Sequence, residues 1–123
     1  MGNYQNLDVW KLAHQFVIEL YKTTNIFPGT ETYNITAQIR RAVVSIPCNI
    51  AEGYGKHSTP EFIRFCQIAK GSAVEIEYLL LLSKDLGYID LNTYHRLNEK
   101  CVTILKMLSK LLSALKHKTK TKP

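Results

Sequence analysis

Gln38, Arg41, Ser45, Asn49 and Glu52 recur at steps of three or four along one stretch, and Glu75 extends the pattern on the next. On a helix that spacing gathers them on one face. A serine beside a base could act as a nucleophile, and paired carboxylates could run acid–base chemistry. Neither arrangement is complete. Ser45 and Ser72 have no histidine at plausible reach, and a helical hairpin would set Glu52 near Arg64 and Asn49 near Glu61 or Arg64. It would also set Gln38 or Arg41 near Glu75. Carboxylates opposed by cations favour ion-paired structure over catalysis. The stripe therefore reads as a hydrogen-bonded polar seam that fixes helix register, with no catalytic residue. Breaking a buried charged pair costs about 3–5 kcal/mol. On this reading Glu75→Ala destabilises the protein far more than Glu19→Ala.

Metal chemistry finds no better footing. The histidines (His14, His57, His95, His117) and cysteines (Cys48, Cys66, Cys101) form no CxxC, HxxxH or Glu-x-x-His pattern. No metal or cofactor is expected. Cys48 and Cys66 come out as neighbouring, buried free thiols across the hairpin. Tyr54 to His57 lacks the Gly-Lys-Ser/Thr ending of a phosphate loop and reads as a turn.

Charge points to phosphates. The 123 residues carry 16 basic and 10 acidic side chains, a net +6. Lys116, Lys118, Lys120 and Lys122 lie in a short basic tail, and without them the net charge falls to +2. Such a tail attracts nucleic acid without regard to sequence, or it is simply a solvated terminus. Arg40, Lys56, Arg64 and Lys70 would extend a phosphate-contacting surface over the body. No basic motif interleaved with aromatics appears, so recognition would be led by shape and charge.

Four periodic segments must position these groups. The first runs from about Leu7 to Asn25, capped by Asn6 or Asp8, with Val9, Ala13, Phe16 and Leu20 on its seam. Trp10 widens that seam in a packing role. The second runs from Thr30 or Thr32 to about Glu52, buries Ile39, Val43, Ile46 and Ile50, and kinks at Pro47. Gly53 and Gly55 end it. The third starts at Ser58-Thr59-Pro60-Glu61, a capping box, and runs to Leu86 before Gly87. Gly71 and Ser72 would let it approach the second closely. Asp90 caps the fourth, where Tyr94, Leu97, Cys101, Ile104, Leu108, Leu111 and Leu115 form a heptad. Val102, Leu105 and Leu112 add a flanking stripe, read either as contact with a neighbouring subunit or as a broader core face. No strand pattern of useful length intervenes. The fold class is all-α, an antiparallel up-down-up-down four-helix bundle over residues 1–115, followed by a basic, flexible tail over 116–123.

No apolar run is long enough to span a membrane, and no secretory signal is visible. With no disulfide framework either, a cytoplasmic location is expected.

The run Q-I-R-R-A-V-V-S-I-P-C-N-I-A-E-G-Y, followed by S-T-P-E-F and A-K-G-S-A-V-E, resembles one specific family. This is the bacterial four-helix-bundle family encoded in intervening sequences of 23S ribosomal RNA genes, sometimes labelled a ribosomal protein. The opening L-D-V-W-K-L-A resembles the start of that family, so the likeness spans Leu7 to Leu115. The family is similar to the accessory variability protein of diversity-generating retroelements, a basic pentameric bundle that partners a reverse transcriptase. The resemblance implies a homo-oligomer, specifically a pentamer. Two functions follow as expectations: a non-catalytic module that binds RNA or a ribonucleoprotein, or a scaffold that binds another protein such as a reverse transcriptase.

Overall fold

The computed structural model describes residues 3–120. Four helices carry the fold: α1 (Asp8–Thr24), α2 (Ile35–Gly55), α3 (Thr59–Asp85) and α4 (Leu91–Lys120). Short 3-10 turns occupy Tyr4–Asn6 and Gly29–Glu31, and no strand occurs among the described residues. α2 packs on α1 and α3, and α4 packs on α3 and α1, while the backbones of the diagonal pairs stay apart. The result is a four-helix bundle.

Inward stripes meet along its centre. Ala13, Phe16 and Leu20 of α1 face Ile39, Val43, Ile46 and Ile50 of α2 in one buried cluster. Ala69, Ala73, Ile76 and Leu80 of α3 join Leu97, Cys101, Ile104 and Leu108 of α4 in the same cluster. Steps of three and four on every helix keep these side chains on the buried face.

Helix ends depart from several expectations. Neither Asn6 nor Asp8 caps α1; Leu7 sits at its N-cap with no side-chain bond. Asn3 instead accepts from the Gln5 amide at 2.8 Å and caps the preceding 3-10 turn. Ser58 makes no capping bond to α3, although Pro60 does fall in the first turn, where a missing amide costs nothing. Asp90 caps α4 as expected, its Oδ1 accepting from the Thr93 amide at 2.7 Å. That bond holds the Asp90 carboxyl below its ordinary range. Gly87, at φ +79°, takes the left-handed turn after α3.

α2 does not stop at Glu52. It runs on through Gly53 to Gly55, and the left-handed residue beyond it is His57 at φ 54°. Gly53 serves packing instead: a Cβ there would stand 2.6 Å from the Phe65 Cβ. α2 and α3 are therefore tightly packed at Gly53, whereas a Cβ at Gly71 would meet nothing within 4 Å. α4 likewise continues past Leu115 to Lys120, so the basic segment begins as helix. At the opposite end the Tyr88 hydroxyl donates to Glu31 at 2.7 Å and its ring lies 5.3 Å from Phe27. These contacts tie the α1–α2 and α3–α4 connections together.

Candidate nucleic-acid interface

The polar seam lies mostly on the surface. Gln38, Arg41, Glu52 and Glu75 are exposed, and only Ser45 and Asn49 are half-buried. The Ser72 hydroxyl donates to Ser45 Oγ at 2.8 Å, and Asn49 Nδ2 donates to the Ser45 carbonyl at 2.7 Å and to Ser45 Oγ at 2.8 Å. Among the described residues no ion pair joins Arg41 to Glu75 or Glu52 to Arg64. The isoleucine stripe of α2 turns toward the core, which rotates its polar neighbours outward. Only the centre of the seam is a structural layer.

The expected ranking of two carboxylates therefore reverses. Glu19 of α1, with 21% of its side chain exposed, accepts from both Arg96 and Lys100 of α4, the latter at 2.6 Å. Partly exposed pairs contribute about 1 kcal/mol. Thermal melts of the isolated chain should show Glu19→Ala losing about that much and Glu75→Ala changing by less than about 0.5 kcal/mol. A Glu75→Ala variant that melts earlier than Glu19→Ala would restore the buried-seam reading.

Arg40 has structural work of its own. Its Nε donates to Thr24 Oγ1 at 2.9 Å, and its Nη2 donates to Asn25 Oδ1 at 3.1 Å and the Tyr21 carbonyl at 3.3 Å. The guanidinium also lies 4.6 Å over the Tyr21 ring. Arg40 thus clamps the end of α1 onto α2.

The remaining cations divide by position. Lys56 and Arg64 flank the Phe65 ring at 5.8 and 4.4 Å, at the corner where α2 turns into α3. Arg64 also pairs with Glu61 at 3.3 Å, and that hydrogen bond holds the Glu61 carboxyl below its usual range. Lys118 joins this corner, for it lines a groove of about 420 Å³ with Tyr54, His57 and Phe62. Lys116 is exposed just before it on α4. Lys70 is half-buried further along α3, away from that corner. Lys122 and the side chain of Lys120 lie outside the described residues.

Two further cations belong with this end. Lys106 and Lys110 are exposed on α4, and their spacing puts them on one face with His117. Their signal is plain in the sequence: Glu99 is the last carboxylate side chain, and every charged side chain after it is cationic. The second half of α4 is thus a one-sign rod whose Lys118 reaches the groove beside Tyr54 and His57.

The stripe expected on α4 is unevenly placed. Leu112 is 5% exposed, Leu105 packs against the core, and Val102 is half-buried. Leu112 belongs to the core of its own chain, while Leu105 and Val102 keep part of their surface exposed. Cys48 is exposed rather than buried, and lines a groove with Trp10, His14 and Tyr4 on the α1 side. Trp10 stacks on His14 at 5.0 Å and meets Tyr4 edge-on at 5.2 Å, a packing role. Among the described residues no three His, Cys, Asp or Glu side chains are placed to hold a metal ion. No helix there is long and apolar enough to cross a membrane.

The family described as 23S rRNA-intervening sequence protein matches residues 5–110. A crystal structure of a protein of unknown function from the S23 ribosomal protein family of Bacteroides thetaiotaomicron superposes with a TM-score of 0.79. The two chains are 26% identical, over 85% of this chain and 95% of that one. No curated protein matches. With the match covering nearly all of the bundle, the chain belongs to the family of 23S rRNA-intervening sequence proteins.

Proposed function

We propose that this protein is a non-catalytic, cytoplasmic homo-oligomer that binds RNA or a ribonucleoprotein through the cationic end of its bundle. One observation carries the reading: past Glu99, α4 bears only cations, and it brings Lys118 to the groove at the α2–α3 corner, beside Tyr54 and His57. A field of one sign along a helix is what phosphate neutralisation needs, and it reads charge and shape rather than bases. Family membership is consistent with an RNA association. The likeness to the retroelement accessory protein makes a pentamer the expected assembly, and repeating the cationic end around a ring would add avidity for a long RNA.

Fluorescence anisotropy with a structured RNA tests this. Log affinity should fall with log salt by about 0.7–0.9 per phosphate neutralised. Four or five contacts would then lose about a hundredfold in affinity between roughly 50 and 200 mM salt. Lys106→Glu and Lys110→Glu should each weaken binding and flatten the slope, while Asn92→Glu, exposed at the opposite end of α4, should leave both unchanged. No binding at the lowest salt would overturn the proposal and favour a scaffold that holds another protein.

A further inference from the structure

The side of α3 turned away from the core carries an apolar seam. Gly71, Val74, Tyr78 and Leu81 step by three and four, the spacing of one partner in a two-helix contact. Val74 is 50% exposed, Tyr78 59% and Leu81 37%, with Ile68 beside them at 42%. Glycine in mid-helix weakens the helix, and nothing inside the chain calls for it at Gly71, where a Cβ would meet no atom within 4 Å. Its absent side chain leaves room for a helix approaching from outside.

A matching surface exists on the same molecule. Between α1 and α2 run two adjoining hollows of about 410 and 440 Å³, floored by Val17, Ile18, Tyr21 and Val44. Lys22, Arg40 and Arg41 rim them, and no carboxylate lines either one. Arg41 is exposed with no hydrogen bond or ion pair among the described residues, and the same holds for Glu75 on the α3 seam. An apolar helix face bearing one carboxylate thus has its complement in an apolar groove edged with cations.

We propose that the α3 seam of one copy seats in the α1–α2 groove of a second copy, with Glu75 meeting the cationic rim. The occupant is a second copy of this chain because seam and groove match in both helical spacing and charge. Seam and groove are different surfaces, so the contact is head-to-tail and each copy keeps one of each free for the next. The inference rests on the homo-oligomer part of the function proposed above and names the surfaces that make it; it does not depend on RNA.

Sedimentation velocity on the full chain, without RNA and at micromolar concentration, tests it with Ile18→Lys and Tyr78→Lys. Both residues are exposed, so the helicity of each variant should stay that of the wild type. The wild type should sediment as an assembly, and each variant alone as the 14.1 kDa chain. Mixed in equal amounts, the two variants should form a dimer, because the Ile18→Lys copy still offers its seam and the Tyr78→Lys copy its groove. A monomeric wild type would overturn both this contact and the oligomer reading. An assembled wild type whose variants stay assembled, or whose mixture stays monomeric, would overturn this contact alone.

Discussion

An alanine at Gly53 should lower the melting temperature by roughly 3–10 °C, while the same change at Gly55 should leave it unchanged or slightly raised. The two glycines share one helix and differ only in what surrounds them. A Cβ at Gly53 would lie 2.6 Å from the Phe65 Cβ, 3.1 Å from Phe62 Cδ1 and 3.3 Å from Phe65 Cγ. Carbon atoms settle at about 3.5–4.0 Å. The Phe65 Cβ is fixed to its backbone, so no rotamer change relieves the contact and α2 must move off α3. Overpacking of this kind costs about 1–3 kcal/mol. At Gly55 nothing lies within 4 Å, and alanine is the better helix former there. Thermal melts followed by circular dichroism decide it. Coincident curves for Gly53→Ala and the wild type would show that the helices have slack at that point.

In the native protein, one thiol of the three should react with a disulfide reagent and two should stay silent until denaturant is added. Cys48 is exposed, whereas Cys66 and Cys101 are buried. Burial pushes the Cys66 thiol up to about 11, and burial followed by the nearby Glu77 charge pushes Cys101 up to about 12. The thiolate is the reacting species, so against an ordinary thiol pKa of about 8.5 these two are depleted by at least a hundredfold before access is counted. Cys101 also donates its proton to the Ala73 carbonyl at 3.2 Å. The pH dependence has a definite sign. Both folded pKa values lie above the unfolded one, so the folded state holds protons that the unfolded chain releases. Their contribution to stability is complete below about pH 8.5 and is lost as pH rises toward 11 and 12. Titration showing two or three fast thiols at neutral pH would contradict the burial of α3 and α4 against each other.

How much of this was legible beforehand depends on what periodicity can carry. Val9, Ala13, Phe16 and Leu20, or Leu97, Cys101, Ile104 and Leu108, sit at steps that only a helix with one buried face satisfies, and they are buried. Rotational phase is harder to see. Arg40 and Arg41 are adjacent, yet about 100° of helix rotation makes one a clamp on α1 and leaves the other exposed. The polar seam and the isoleucine stripe share α2 at similar spacing, and nothing local says which lies deeper. On α3 apolar residues occur on both faces, so its outer seam hid among core residues while the leucines of α4 drew attention as surplus. Gly53 and Gly71 look alike in sequence; only the position of Phe65 separates them. The run of cations after Glu99 is plain in the sequence, and it reaches back from the tail along α4 through Lys110 and Lys106.

The contact of α1 with α4, through Glu19, Arg96 and Lys100, closes a cycle. Every other pairing of long helices joins neighbours along the chain. Most contacts can therefore form between segments close in sequence, leaving a single long loop to close, which is the topology of fast folding. Leu7 and Leu115 line one groove where that closure is made. A circularly permuted chain, joined from α4 to α1 and opened between α2 and α3, would keep every helix beside the same two neighbours. Packing sets the order of the helices around the bundle, and the point at which the backbone interrupts that circle is free to move.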